Sequence, residues 1–158
     1  MFLRYFLDVP LAYEEARSAL LYEPGRWVPR LVREAEDQAE RLLIEVGFDV
    51  RAMRVSRQVE IAIGEPLHAN GKTTLPVTWR STSHESLFPR FDADIEVAPL
   101  GPGRVQLALS GRYEPPLGPV GRVADRALLH RVAEATIKDF VERVAATLAD
   151  SARTTAGD

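Results

Sequence analysis

Apolar and polar residues alternate over much of the second half of the chain, the pattern expected of β-strands that bury one face. In the last such segment Val105, Leu107 and Leu109 form the apolar set, with polar residues beside them. Asn70-Gly71 is a strong signal for a tight turn. The alternating segments are Arg57–Ile63, Leu75–Thr82, Arg90–Val97 and Arg104–Tyr113. They predict an antiparallel meander, in which Pro76 marks an edge or the start of a strand.

The first half of the chain follows a different pattern. Phe2–Asp8 is mostly apolar on both faces and is expected to be a strand. Pro10 suits the first turn of a helix that ends at Pro24-Gly25. A second helix is predicted to begin near Val28-Pro29, because the apolar residues that follow have helical spacing, and Gly47 lies where a left-handed cap is expected.

Beyond Tyr113 the apolar period changes from two to about 3.6 residues. This change predicts a long amphipathic helix from Pro119 or Val120 to about Ala149. The small polar residues Ser151–Asp158 are expected to form a frayed tail. The predicted apolar stripe of the helix is Val123, Leu128 or Leu129, Val132, Ala133, Thr136, Ile137, Phe140, Val144 and Leu148.

The order of strand, two helices, meander and long helix is typical of the α+β class. We expect one domain over residues 1–149 and a flexible tail over residues 150–158. A sheet with one apolar face and a long amphipathic helix must bury these surfaces on each other. A curved sheet that does so can leave a cavity, which suggests an apolar ligand.

The composition narrows the possible partners and the compartment. With 46% hydrophobic and 27% charged residues the 158-residue chain is globular, and its net charge of −3 gives no electrostatic footprint for nucleic acid or for an anionic membrane surface. No segment approaches the roughly 20 apolar residues of a membrane span, and Met1–Val9 lacks the unbroken apolar run of a signal peptide. There are no cysteines, which excludes disulfides and thiolate metal sites. A cytoplasmic protein without stable membrane insertion is expected, and the oligomeric state stays open.

Several blocks of sequence resemble a known superfamily. They are Leu75-Pro76-Val77-Thr78-Trp79, Leu87-Phe88-Pro89 and Gly111-Arg112-Tyr113-Glu114-Pro115-Pro116-Leu117-Gly118, followed by a helix that contains Asp125–Ala133. With the element order over residues 2–148, they resemble the START-like superfamily, also called SRPBCC or helix-grip, and an actinobacterial branch of it that brings no assigned activity. The resemblance implies a curved antiparallel sheet wrapped around a long C-terminal helix, with two helices after the first strand. Members of the superfamily bind lipids, polyketides, sterols or hormones, and a minority catalyse cyclisation or dehydration.

Trp79 is the strongest candidate for contact with a ligand in such a cavity. Its indole adds a large apolar ring and an N–H group to the apolar face of a strand. Tyr113 ends the last strand, and its hydroxyl could orient the polar head of a ligand. For both residues, plain packing in the core is the alternative. The apolar residues expected to share this inward surface are Phe91, Leu107, Leu109, Ala133, Ile137 and Phe140.

Arg122 and His130 are the polar candidates near the start of the last helix. Because the N-terminus of a helix attracts anions, a carboxylate or phosphate of a ligand could dock near Arg122. His130 flanks the apolar stripe, where it could act as a general acid or base, or simply lie at the boundary of the core. No motif assigns a catalytic residue, no spacing of histidines and carboxylates fits a metal site, and no cofactor is expected.

The sequence therefore favours a binding protein that holds a hydrophobic small molecule, lipid-like or polyketide-like, between the sheet and the last helix. The alternative is an aromatase/cyclase-type enzyme that acts on a polyketide-like substrate in the same cavity, with Tyr113, His130 or Arg122 handling protons. A third hypothesis is an interaction protein whose cavity has collapsed and whose helical surface binds a partner.

Overall fold

The computed structural model describes residues 1–47, 59–81, 90–115 and 125–157 of the protein. These residues form one antiparallel sheet and three helices, in the order that the sequence predicts. The elements are β1 (Phe2–Val9), α1 (Tyr13–Leu21), α2 (Pro24–Glu45), β2 (Val59–Ile63), β3 (Leu67–Ala69), β4 (Lys72–Ser81), β5 (Arg90–Gly101), β6 (Arg104–Tyr113) and α3 (Arg126–Ala156).

The sheet has the strand order β1-β6-β5-β4-β2, and β3 also pairs with β4. The first strand of the chain thus pairs with the sixth, with Phe2 opposite Arg112 and Val9 opposite Val105. All pairs are antiparallel. The inner face of the sheet is apolar and packs against the helices, while the outer face is mostly polar. The predicted α+β class and helix-grip arrangement are confirmed.

The hairpin between β3 and β4 turns at Asn70-Gly71, as predicted. Both residues have positive φ, 53° for Asn70 and 75° for Gly71. A two-residue hairpin turn whose twist matches that of its strands requires positive φ at both central residues. The local sequence therefore sets the register of this hairpin, in which Ala69 pairs with Lys72.

Pro76 lies in the interior of β4, so the predicted strand start was wrong, but it has a strand neighbour on one side only, and the predicted edge position therefore holds locally. The chain tolerates a proline there because the ladder on one side is interrupted. β2 pairs with β4 only from Val77 onward, and β3 pairs with it only up to Thr74. In the bend between those strands, the Gly64 N–H donates to the Pro76 carbonyl at 2.8 Å. The nitrogen of Pro76, which has no hydrogen, faces the same gap and leaves no partner unsatisfied.

α2 begins at Pro24, earlier than the predicted start near Val28-Pro29. Glu23 has a left-handed backbone with φ of 43°, which redirects the chain into the helix. Proline is well suited to the first helical position, because an N–H group there has no acceptor in the helix. The helix ends at Glu45, and Gly47, two residues beyond it, has a φ of 95°, which confirms the predicted left-handed cap.

α3 begins at Arg126, and the Asp125 carboxylate accepts a hydrogen bond from the Ala127 N–H at 3.1 Å. The predicted start at Pro119 or Val120 lies outside the described residues. At the other end the helix continues to Ala156, so the predicted end near Ala149 was wrong. No glycine or proline interrupts it before Gly157, and the hydroxyls of its last turns donate to carbonyls four residues earlier. The boundary of the domain at residue 149 stays a prediction.

The core lies between the inner face of the sheet and the apolar stripe of α3. The buried residues of the predicted stripe are Leu129, Val132, Ala133, Thr136, Ile137, Phe140, Val144 and Leu148. Val141 is buried in addition, and the predicted Val123 lies outside the described residues. α2 also packs on α3, where Arg143 bridges Glu34 of α2 and Asp139 of its own helix. In the part of the chain that the structure describes, no helix is both long and apolar enough to cross a membrane.

Candidate functional site

Aromatic rings from the sheet and from α3 meet at one end of the core. Trp79 of β4 lies with its ring centroid 4.4 Å from that of Phe91 on β5 and 5.8 Å from that of Phe140 on α3. Tyr113 of β6 stands directly opposite Phe91 in the sheet. All four residues are buried. We call Trp79, Phe91, Tyr113 and Phe140 the aromatic cluster.

The sequence brings the cluster together through strand alternation and register. Trp79 pairs with Phe91, and Phe91 pairs with Tyr113, so neighbouring strands present their rings to the same face. Gly111 makes room beside them, because a Cβ atom there would lie 2.9 Å from Phe91 Cζ and 2.7 Å from the Asp92 carbonyl oxygen. β4 ends, β5 begins and β6 ends at this end of the sheet. The cluster therefore lies at the end of the sheet where these three strands begin or end.

The Tyr113 hydroxyl is the polar group of the cluster. It donates a hydrogen bond to Met1 Sδ at 2.8 Å. Burial raises the pKa of Tyr113 to about 12, and the negative charge of Glu134 on α3 contributes to this rise. The hydroxyl is thus a protonated donor at neutral pH, able to serve the polar end of a ligand but unsuited to act as a base.

His130 lies on the solvent side of the same region. Its Nε2 atom is 3.2 Å from Glu134 Oε1, and the two side chains are 39% and 59% exposed. Tyr113 is only 2% exposed. A pair of groups that transfers protons to one substrate has to face the same enclosed space. Among the described residues, the Tyr113 hydroxyl and the His130 imidazole do not do so. Arg122, the third predicted polar residue, lies outside the described residues.

The middle of the interface between the sheet and α3 is filled. Among the described residues, the gap bordered by Leu107, Leu109 and Phe140 has no room for a water molecule. Leu107, Leu109, Ala133 and Ile137 are all buried in this packing. The predicted inward orientation of these residues is thus observed, whereas their contact with a ligand stays a prediction.

Sequence comparisons find no matching family model and no matching curated protein. Among solved structures, a conserved protein from Geobacillus kaustophilus is 16% identical, with a TM-score of 0.53, and the match covers 96% of this chain and 97% of that one. A protein from Thermus thermophilus is 13% identical, with a TM-score of 0.48 and coverage of 96% and 99%. The Zhui aromatase/cyclase from Streptomyces sp. R1128 is 11% identical, with a TM-score of 0.46 and coverage of 98% and 95%.

The element order, the sheet and the first of these similarities decide the fold. The chain has a helix-grip fold. At these identities the similarity extends to the fold alone, and the chemistry has to be argued from the residues.

A second polar group of the core was not predicted from the sequence. The Thr73 hydroxyl, fully buried on β4, lies 2.7 Å from the Tyr13 hydroxyl and 2.9 Å from His68 Nδ1. These contacts connect α1 with the hairpin of β3 and β4. A signal was present, because Thr73 occupies an inward position in line with Leu75 and Val77. The two contacts satisfy the buried hydroxyl and explain it as a structural link.

An open groove of about 870 Å³ lies between α1 and the last turns of α3. Apolar atoms of Ala19 and Tyr22 line it, together with carboxylates at its rim. Glu14 pairs with Arg17, and Asp150 pairs with Arg153, so these rim charges are largely compensated. The groove was not foreseen because it exists only where α3 continues beyond Ala149. Among the described residues, no group of three or more side chains is arranged to hold a metal ion.

Proposed function

We propose that the protein binds a hydrophobic small molecule, lipid-like or polyketide-like, at the aromatic cluster, between the inner face of the sheet and α3. The grouping of three apolar rings around one buried hydroxyl carries this proposal. Ligand sites of this kind are mostly apolar, with a few polar groups that fix the orientation of the ligand. Trp79, Phe91 and Phe140 would supply the contact area, and Tyr113 would bind a polar head.

The packing of the core defines where a ligand would enter. Because the gap beside Leu107 and Leu109 has no room for water, the middle of the interface offers no preformed space among the described residues. The aromatic cluster lies at the end of the sheet, where β4 and β6 end. A ligand would therefore separate the rings of the sheet from the first turns of α3, where it would contact Ala133 and Ile137, and Phe140 would form its deeper boundary. Binding should then change the surroundings of Trp79 directly.

Binding is favoured over aromatase/cyclase chemistry by the position of the polar groups. A cyclase would need two groups that exchange protons with one substrate inside one enclosed space. Tyr113 is buried and holds its proton tightly, while His130 pairs with Glu134 at the surface. A binding protein needs only the apolar contact surface and one orienting donor.

The fluorescence of Trp79 offers the test. Trp27 is the second tryptophan, and Trp27→Phe removes its signal without breaking a hydrogen bond, since its Nε1 has no partner among the described residues. In that background we would titrate oleic acid, cholesterol and an anthraquinone. A saturable change in Trp79 emission with at least one of these probes is expected. No saturable change with any probe, together with no co-purified small molecule in native mass spectrometry, would refute the proposal.

Two tyrosine variants localise the site. Tyr113→Phe should weaken binding of the probe that responds by about tenfold, because the buried donor to its polar head is lost. Tyr13→Phe is the matched control, since its hydroxyl contacts Thr73 at the opposite end of β4, about 20 Å along the strand. Equal effects of both variants would place the ligand elsewhere.

A further inference from the structure

We infer that the outer edge of β1 is a self-complementary surface, through which two copies of this chain join into one continuous antiparallel sheet. The relevant features are the hydrogen-bonding pattern of the edge, its exposed apolar side chains and its charge order. The surface is separate from the aromatic cluster, and the inference does not depend on the proposed function.

The hydrogen bonds of β1 show which main-chain groups face outward. Met1 N donates to the Tyr113 carbonyl at 2.6 Å, and Tyr113 N donates to the Met1 carbonyl at 2.9 Å, so these two residues form a hydrogen-bonded pair. From there the register continues without a shift to Val9 opposite Val105. Such pairs alternate along an antiparallel ladder. The residues whose N–H and C=O groups face away from β6 are therefore Phe2, Arg4, Phe6 and Asp8.

Among the described residues, β1 pairs with β6 alone and forms one edge of the sheet. The inner face of this edge is apolar, and its outer face alternates Phe2 and Phe6 with Arg4 and Asp8. Phe2 and Phe6 are 59% and 55% exposed on the outer face, and Tyr5 and Leu7 are half-buried on the inner one. A long apolar edge with unpaired main-chain groups is a template for another strand, and native proteins normally protect it.

The order of side chains along β1 selects a second copy as the partner. In one antiparallel register Phe6 faces Phe6 of the second copy. In the same register Arg4 of each copy faces Asp8 of the other copy, so this pair forms twice. The same register places Tyr5 against Leu7 across the inner face. Opposite charges and aromatic pairs directly across a ladder both stabilise it. The neighbouring registers lose these matches, because one sets Arg4 against Phe6 and the other sets Asp8 against Phe6.

The carboxylate of Asp8 is available for this contact. Arg104 of β6 lies 3.3 Å from one of its oxygens, and both side chains are half-exposed. A carboxylate accepts several hydrogen bonds, so Arg4 of the second copy can share it. The two-fold arrangement makes each contact occur twice, as in other isologous dimers.

Charge reversal tests the surface and its register together. Sedimentation velocity of the unmodified protein at about 100 µM should show a dimer. Arg4→Asp and Asp8→Arg should each raise the dimer dissociation constant at least about tenfold, because each sets like charges opposite one another at two places. The combined variant Arg4→Asp/Asp8→Arg restores both pairs, and its dissociation constant should return to within about threefold of the original.

Arg112→Asp is the matched control. Arg112 is exposed on β6, and its replacement changes the net charge as much as Arg4→Asp does. This variant should leave the dimer intact. Circular dichroism of each variant confirms that the exposed substitutions leave the fold unchanged. A monomeric unmodified protein overturns the inference. So does a dimer that either single reversal leaves intact, or one that the combined variant fails to restore. A foreign protein bound at this edge, with no self-association, overturns it as well.

Discussion

The Tyr113 hydroxyl couples the stability of the protein to alkaline pH. Its pKa in the folded protein is about 12, against an ordinary value of 10.0, because burial disfavours the phenolate. The folded state therefore binds this proton more tightly than the unfolded state. This contribution is fully present below pH 10.0 and is lost as the pH rises towards 12.

We expect the free energy of unfolding to fall by about 2 kcal/mol over this interval because of Tyr113. Tyr113→Phe should lack this component, although it also loses the contact with Met1 Sδ. Urea unfolding followed by circular dichroism at neutral pH and at several values between pH 10.0 and 12 measures both proteins. Parallel pH profiles for the two would show that another group is responsible.

At the level of the elements, Arg143 joins α2 to α3. Its Nη1 atom lies 3.1 Å from Glu34 of α2, and its Nε atom lies 2.7 Å from Asp139. The side chains are about one-third exposed, so water screens the attraction only in part. This is the geometry in which an ion pair between helices makes a measurable contribution.

A double-mutant cycle with Glu34→Gln and Arg143→Gln should give a coupling energy of about 0.5–1 kcal/mol that decreases with added salt. The same cycle on Glu14 and Arg17 is the control. That pair lies within α1 with Glu14 73% exposed, and its coupling should be smaller. A coupling in the helix-bridging pair no larger than in the control would mean that α2 and α3 are held by apolar packing alone.

The elements differ in how far local sequence predicts them. Arg104–Tyr113 and the Asn70-Gly71 turn are defined by alternation and turn chemistry within a few residues, and both were predicted correctly. The start of α2 was predicted too late, because Pro24-Gly25 favours a turn locally. In the fold the helix begins at Pro24, and Trp27 is buried in its first turn. The position of Pro76 inside β4 likewise depends on the gap between β2 and β3, which the local sequence does not predict.

At the scale of the whole molecule, Phe140 joins the two layers. It is fully buried, contacts Trp79 across the interface and borders the small gap in the middle of the core. Phe140→Ala should lower the free energy of unfolding by about 3–5 kcal/mol, because the cavity that it leaves cannot be filled without moving both layers.

Chemical denaturation followed by far-ultraviolet circular dichroism measures this effect independently of tryptophan emission. Tyr22→Ala is the control, since that ring is 67% exposed and its removal should change stability by less than about 0.5 kcal/mol. A loss below about 1 kcal/mol for Phe140→Ala would show that the layers are held together elsewhere.

The candidate site was predictable in its members but not in its shape. Alternation along β4 and β5 is enough to orient Trp79 and Phe91 inward, and helical spacing does the same for Phe140. Whether these rings enclose space depends on the fit of side chains from separate elements, which periodicity does not describe. The exposure of His130 and its pairing with Glu134 also depend on tertiary position.

The pairing of β1 with β6 has a consequence for biosynthesis. Phe2 leaves the ribosome more than a hundred residues before its partner Arg112. Until β6 is made, the nascent chain carries the apolar strand β1 without its partner strand. Sequence-distant pairing of this kind slows folding. β1 is therefore exposed to chaperones that bind emerging apolar segments throughout the synthesis of the residues between it and β6.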